Sequence, residues 1–323
     1  MVAAPRGNAD SVTVFAPATV ANVGVGFDVL GFALDGIGDR VTVRRTDGPA
    51  EVEVESIRGV VSDLPTDPRR NTASVALLAL LDDVAPSHGF CVAVDKGIPL
   101  GSGMGGSAAS AVGAVAAANR LLDRPLPMQR LLIHAAAGER AASGAPHADN
   151  VAPCLYGGMT AVVSPEPLEV VPIPVPEDLL CVLVHPHLRI ETRDARSALR
   201  DQIGLAEHVA QSMKLSGFLA GCFRGDAGLA GRSTVDLIVE PQRARLIPGF
   251  FEAKAAALDN GALGFAIAGS GPSVFAWVTS EAAGRAIELE IRSVFERQGL
   301  GSDGWVCPIQ RRGAEPVSST ADG

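Results

Sequence analysis

Residues 99–107 read PLGSGMGGS, a glycine-dense stretch between a strand and a helix. Before it, Phe90, Val92 and Val94 alternate as in a half-buried strand, which Gly97-Ile98-Pro99 brings to an end. After it, residues 108–122 are rich in alanine and free of proline, so a helix begins at or just after Ser107. The first amides of a helix have no partners within it, and its dipole is positive there. Gly101, Gly103, Gly105 and Gly106 let the backbone take positive φ and aim several amides at one anion. The stretch reads as a phosphate cradle.

It is not a P-loop, because no lysine separates Gly106 from Ser107. Gly101, Gly103 and Gly106 do satisfy the dinucleotide spacing G-x-G-x-x-G, with Asp123 near the offset of a ribose-binding acid. Asp123, however, sits in LLDRPLP, where a helix ends, and not at the tip of a second parallel strand. That argues against the dinucleotide reading.

The chain has 323 residues, enough for two domains, with 47% hydrophobic and 20% charged residues, as expected for a compact soluble globule. A net charge of −9 argues against a nucleic-acid partner or a membrane-surface footprint. Lys96, Lys214 and Lys254 are the only lysines among 27 basic residues, which leaves phosphate to amides, arginines and a metal. Cysteines at 91, 154, 181, 222 and 307 are odd in number and lack C-x-x-C spacing, which fits a reducing cytoplasm. No apolar segment at the start reads as a signal peptide, and residues 108–122 are too short to span a bilayer.

Residues 1–10 and 313–323 are small and polar and read as flexible tails. A strand covers 11–15, and 40–45 with 51–57 predicts a hairpin around Thr46-Asp47-Gly48-Pro49. Helices are expected at 71–82 and 128–143. The strand-rich run 159–173 passes into Pro165, Pro167, Pro172, Pro174 and Pro176, which divides the chain into domains at 11–167 and 177–312. Beyond it come a strand (179–184), helices between 192 and 224, a helix near 249–259, strands at 264–268 and 273–278, a helix (281–298) and a strand (305–309). This order lacks a regular βαβ rhythm and predicts an α+β layer of antiparallel strands with helices on one side.

Two further segments share the glycine-bearing character of the loop. Residues 16–35, APATVANVGVGFDVLGFALD, place Asn22 and Asp28 in an apolar setting; taken singly they read as a turn residue and a helix cap. Gly269-Ser270-Gly271-Pro272-Ser273 joins the two later strands and reads alone as a hairpin turn.

Together, PATVANVGVGFDVLGFAL, PLGSGMGGSAAS and GFAIAGSGPSVFAWV resemble the galactokinase, homoserine kinase, mevalonate kinase and phosphomevalonate kinase (GHMP) superfamily, and within it the homoserine kinases. GAPHADNVAPCLYGG, ETRDARSAL and DLIVEPQRARLIPGF extend the resemblance over most of residues 12–310. It implies a ribosomal-protein-like N-terminal domain with a left-handed βαβ crossover, and a ferredoxin-like C-terminal domain. It also implies phosphoryl transfer from ATP to the side-chain hydroxyl of L-homoserine, toward threonine. One departure is Gly106-Ser107, where the family commonly carries two serines; the second is retained.

The resemblance assigns Pro99, Leu100, Gly101, Ser102, Gly103, Met104, Gly105, Gly106, Ser107, Ala108 and Ala109 to ATP, with Asn71 and Lys96 beside them. Lys96 reads equally as a charge near the phosphates or as a solvated strand-end lysine. Ser107 and Glu139 are the expected magnesium ligands, an oxygen pair that leaves room for waters. Read alone, Glu139 is a solvated helix residue. The amino-acid substrate is a zwitterion, so Asp149 and Asp28 are expected at its ammonium and Arg196 and Arg243 at its carboxylate, where a guanidinium fork is bidentate. Asn22, His147 and Gly269 complete that pocket, and Asn150 holds the reacting hydroxyl. No general base is evident, and a loose transition state needs little base assistance. A homodimer is possible. The alternatives are a sister kinase of the mevalonate or shikimate type, a nicotinamide oxidoreductase, and a non-catalytic nucleotide-binding protein of the same fold.

Overall fold

The computed structural model describes residues 10–144 and 148–317. The first half runs β1 (Ser11–Ala21), β2 (Leu30–Thr46), β3 (Val52–Gly59), α1 (Thr72–Val84), β4 (Gly89–Lys96), α2 (Gly106–Leu121), α3 (Met128–Ser143), α4 (Ala148–Tyr156), β5 (Met159–Pro165) and β6 (Leu168–Ile173). The second half runs β7 (Leu180–Pro186), α5 (Thr192–Ser197), α6 (Leu205–Arg224), α7 (Ala227–Ser233), α8 (Glu240–Arg243), α9 (Phe250–Asp259), β8 (Gly264–Ile267), β9 (Val274–Val278), α10 (Glu281–Arg297) and β10 (Ser302–Pro308); β11 (Glu315–Pro316) follows. Among the described residues no helix is long and apolar enough to cross a membrane.

The first sheet has the order β11-β1-β2-β4-β3, with β5 on the far end of β2 and β6 on β5. The expected hairpin between 40–45 and 51–57 does not form. β4 lies between them, antiparallel to β2 (Val43 opposite Val92) and parallel to β3 (Val54 opposite Val92). The reason is burial: Phe90, Cys91, Val92 and Val94 of β4 are all covered, so it needs a partner on each edge. β3 alternates buried Val52 and Val54 with exposed Glu53, as suits an outer strand. β1 continues well past residue 15, where alternation stops because Ala16 to Ala21 are buried on both faces.

The second sheet, β10-β7-β9-β8, is wholly antiparallel, with α10 linking β9 to β10. That is the β-α-β-β-α-β ferredoxin-like order. Its elements fall within a few residues of those expected from the sequence.

Three boundaries differ. The first half extends past residue 167 to Ile173, since β5 and β6 form a hairpin on β2. Residues 313–317 are no tail: Phe15 pairs with Glu315, and Ala314 N–H donates to Cys154 O. α4 was not expected, because Pro153 inside it masks a nine-residue helix. The tail residues 1–9 and 318–323 lie outside the described residues.

One core joins the halves. Phe32 of β2 meets Phe275 and Trp277 of β9, with ring centroids 5.8 and 4.8 Å apart. Each such fully buried side chain contributes about 1.5–3 kcal/mol. A second core lies on the other face of the C-terminal sheet, where Phe250, Phe265, Ile287, Ile291 and Phe295 gather. All five cysteines are buried and unpaired.

Candidate active site

α2 starts at Gly106, with Gly105 at φ 69° as its cap and no side chain bonding its first amides. The first helical return is Ala109 N–H to Gly105 O, so the amides of Gly106, Ser107 and Ala108 have no acceptor in the helix. The loop's other turns use Gly101 at φ 62° and Gly103 at φ 79°. Two of these glycines also serve protein contacts. A Cβ on Gly103 would stand 2.4 Å from Ala268 O, and one on Gly105 would stand 2.0 Å from Thr19 Oγ1. The loop is thus seated on both of the other motifs.

Below it lies a buried ion pair. Lys96, 5% exposed, donates to Asp39, to Gly106 O at 2.7 Å and to Ser110 Oγ at 3.0 Å. Asp39 also accepts from the amides of Gly97 and Ile98. Lys96 is therefore neither a solvated lysine nor an uncommitted cation for phosphate, because its ammonium is spent on holding the first turn of α2 to β2. Asn71 likewise spends its side chain, capping α1 through Ala73 and Ser74 N–H and donating to Pro65 O.

The first motif turns sharply between β1 and β2. Asn22, Val23 and Gly24 have φ of 68°, 49° and 65°, a conformation that is strained for a β-branched residue. Asn22 Nδ2 donates to Gly269 O at 2.7 Å and its Oδ1 accepts from Asp28 N–H, so Asn22 fastens the first motif to the third. Asp28 caps no helix, since β2 follows at Leu30.

These pieces enclose a cleft of about 700 Å³, within the usual range for small-molecule sites. Its lining includes residues 98–107, Asn71, Lys96, Glu139, Asp149, Asn150, Arg196, Arg243, Asn22, Asp28 and Gly269. Ala108 and Ala109, expected at the nucleotide, are fully buried in the core and do not line the cleft. His147 lies outside the described residues. Glu139 is 5% exposed, so it is not a solvated helix residue.

In the same cleft, Arg196 pairs with Asp28 through two bonds, Nη1 to Oδ2 at 2.8 Å and Nη2 to Oδ1 at 3.0 Å. Arg243 is buried, with Nε on Ala195 O and Nη1 on Gly269 O. Burial, then the charge of Arg196, pushes its pKa down to about 10. Asp149 is buried at the start of α4, and its Oδ1 has no hydrogen-bond partner among the described residues. Burial, then Asp28 and Glu139, raises its pKa to about 7.

The chain matches two family models, GHMP kinases N terminal domain over residues 71–158 and GHMP kinases C terminal over residues 218–297. It is 50% identical over 295 residues to the homoserine kinase of Xanthomonas campestris pv. campestris (strain B100), covering 91% of this chain and 90% of that one. The chain belongs to the homoserine kinase family of GHMP kinases. A Xylella fastidiosa (strain 9a5c) homoserine kinase is 46% identical over 306 residues, covering 95% of this chain and 94% of its own. The crystal structure of homoserine kinase from Cytophaga hutchinsonii superposes with a TM-score of 0.94 at 46% identity, over 98% of this chain and all of that one. Mevalonate kinase from L. major, at 16% identity and a TM-score of 0.68, shares the fold.

Three residues of this homoserine kinase family site escaped the sequence reading. Thr19 Oγ1 donates to Asn150 Oδ1 at 2.8 Å, Asp39 anchors Lys96, and Phe27 lies against Arg196 and Arg243. Phe27 and Thr19 stood inside a motif already singled out. Asp39, midway along β2, carried no signal.

Proposed function

We propose that the chain transfers the γ-phosphoryl group of ATP to the side-chain hydroxyl of L-homoserine, yielding O-phospho-L-homoserine for threonine synthesis. The observation that carries this reading is a single cleft lined by two unlike sets of groups. One set is the uncapped start of α2, where amides and dipole favour phosphate. The other holds two guanidiniums and the buried carboxylate of Asp149, a set that matches a zwitterion. Mevalonate and shikimate carry a carboxylate but no ammonium, and would leave Asp149 without a counter-charge.

Ser107 and Glu139 line the same cleft and offer a hydroxyl and a carboxylate, an all-oxygen set that fits magnesium with waters retained. The ion, held there, would supply charge neutralisation at the β- and γ-phosphates. The amide of Asn150 has its oxygen occupied by Thr19, so its NH2 is the group left to meet the acceptor hydroxyl or the transferring phosphoryl. Transfer then rests on holding the hydroxyl in line. Buried free thiols fit a reducing cytoplasm.

A coupled ADP-release assay across L-homoserine, mevalonate, shikimate and galactose tests the reading. Homoserine should give the highest kcat/KM. A preference for any of the other three would overturn it.

A further inference from the structure

Four carbonyls of the glycine loop are held by groups outside it. Gly101 O accepts from Ile190 N–H at 3.1 Å, Ser102 O from Ser273 N–H at 3.2 Å and Met104 O from Thr19 N–H at 3.0 Å, while Gly106 O accepts from Lys96. A trans peptide sets its C=O and the following N–H on opposite sides. The first three contacts therefore turn the amides of Ser102, Gly103 and Gly105 the other way. None of these amides has an acceptor among the described residues, and all three residues line the cleft. The loop is aimed by its carbonyls, and two of the contacts that aim it come from the second half of the chain.

Of those two, the contact at Ser102 has a side-chain anchor behind it. β7 and β9 pair from Leu180 opposite Val278 to Val184 opposite Val274. One step beyond that ladder, His185 meets Ser273, and Nδ1 and Oγ share a hydrogen bond of 3.0 Å. Both residues are buried. Burial, then the charge of His187, pushes the pKa of His185 down to about 4, so the ring is neutral at neutral pH. Ser273 thus works in two directions, its side chain tied to β7 and its backbone N–H tied to the loop. The phosphoryl transfer described above uses neither side chain.

We infer that His185 is a positioning residue for ATP, which through Ser273 fixes the carbonyl of Ser102 and so aims the amide of Gly103 at the phosphates. The inference rests on the assignment of the loop to ATP in the function proposed above, and deepens it. The homoserine side of the cleft is tied by other bonds, from Asn22 and Arg243 to Gly269 O. Loss of the His185 anchor therefore acts on one ligand and spares the other, whereas a merely structural histidine would weaken both or neither.

The test measures calorimetric Kd values of magnesium-ATP and of L-homoserine for wild type, Ser273→Ala, His185→Leu, His185→Asn and the double variant His185→Leu/Ser273→Ala, with the Tm of each. Ser273→Ala and His185→Leu should each bind ATP about fivefold more weakly, the worth of one hydrogen bond. The double variant should be no weaker than either single one, because both break the same link. Asparagine places its amide near the position of Nδ1, so His185→Asn should keep the wild-type affinity. Homoserine should bind all of them equally. Unchanged ATP affinity in the single variants, losses that add in the double, an Asn variant as weak as the Leu variant, or an equal loss for homoserine would each overturn the inference. If His185→Leu does not fold, Ser273→Ala and His185→Asn decide it between them. Wild type that binds no ATP would sink both readings; wild type that binds it, beside variants that bind it equally well, would sink the positioning alone.

Discussion

Asp149 carries a charge that its surroundings oppose. It is 3% exposed, and burial, reinforced by Asp28 and Glu139, raises its pKa from 3.8 to about 7. The folded chain therefore holds this proton more tightly than the unfolded chain does. The stability it contributes is fully present below the ordinary carboxylate value and is lost as pH rises through about 7. Arg196 pulls the other way, and Arg243 also faces the group. A substrate ammonium beside Asp149 favours the carboxylate, so homoserine binding should release a proton below neutrality. Its affinity should rise with pH and level off above about 7. Calorimetry in two buffers of different ionisation enthalpy counts that proton, and Asp149→Asn should abolish it. Thr19 permits a second expectation at this scale. Thr19→Val removes the hydroxyl that fixes the Asn150 amide, and should lower kcat about tenfold, the worth of one buried hydrogen bond. KM for ATP should hold and Thr19→Ser should recover the rate. Equal losses in Val and Ser variants would mean the hydroxyl does not orient Asn150. Asp28, Asp149, Arg196 and Arg243 were placed in the substrate pocket by the family resemblance, since each read singly as a cap or a surface charge, and all four line one cleft. Sequence reading missed Thr19 because its partner lies 131 residues away.

Among elements, the glycine loop and α2 were legible, since glycines before an alanine-rich helix have a local cause. What was not legible is what the glycines face. The close approach at Gly103 is to Ala268 and Gly271 of the protein itself. Gly103→Val should therefore displace the third motif, whose Gly269 O holds both Asn22 and Arg243. KM should rise for homoserine as well as for ATP, with circular dichroism unchanged. A rise for ATP alone would show that the glycine serves the nucleotide only. α4 was missed for a related reason: Pro153 breaks the local pattern, yet burial of Val151, Ala152, Cys154 and Leu155 holds the helix. The absent hairpin at 40–57 shows the limit of local turn chemistry, because β4, made later, takes the place between the two strands.

At the scale of the molecule, the two halves share the Phe32, Phe275 and Trp277 cluster and are further bound by residues 309–317. Gln310 exchanges bonds with Ala33 and Gly158, and Ala314 reaches the end of α4 at Cys154. Truncation after Pro308 removes these contacts. It should cost about 2–5 kcal/mol at roughly 1 kcal/mol for each hydrogen bond lost, read as a lower urea midpoint with m unchanged. KM for homoserine should rise too, because α4 carries Asp149 and Asn150. An unchanged midpoint would mean that the strap adds nothing. The strands and helices of the second half were open to sequence, while their ferredoxin-like order came from the family resemblance alone. The strap was not legible, since a two-residue strand leaves no periodicity to read.

That strap bears on how the chain is made. A ribosome finishes β1 early and β11 only after the second half has emerged. Until then the rim of the first sheet near Thr13 to Phe15 offers bare amides and carbonyls to any neighbouring nascent strand. Once β11 arrives, Val14 stands across from Pro316, so the two ends of the fold are adjacent. A short peptide could join them and the chain be reopened at the exposed turn 47–50, leaving the cleft untouched while the rim strand is synthesised beside its partner.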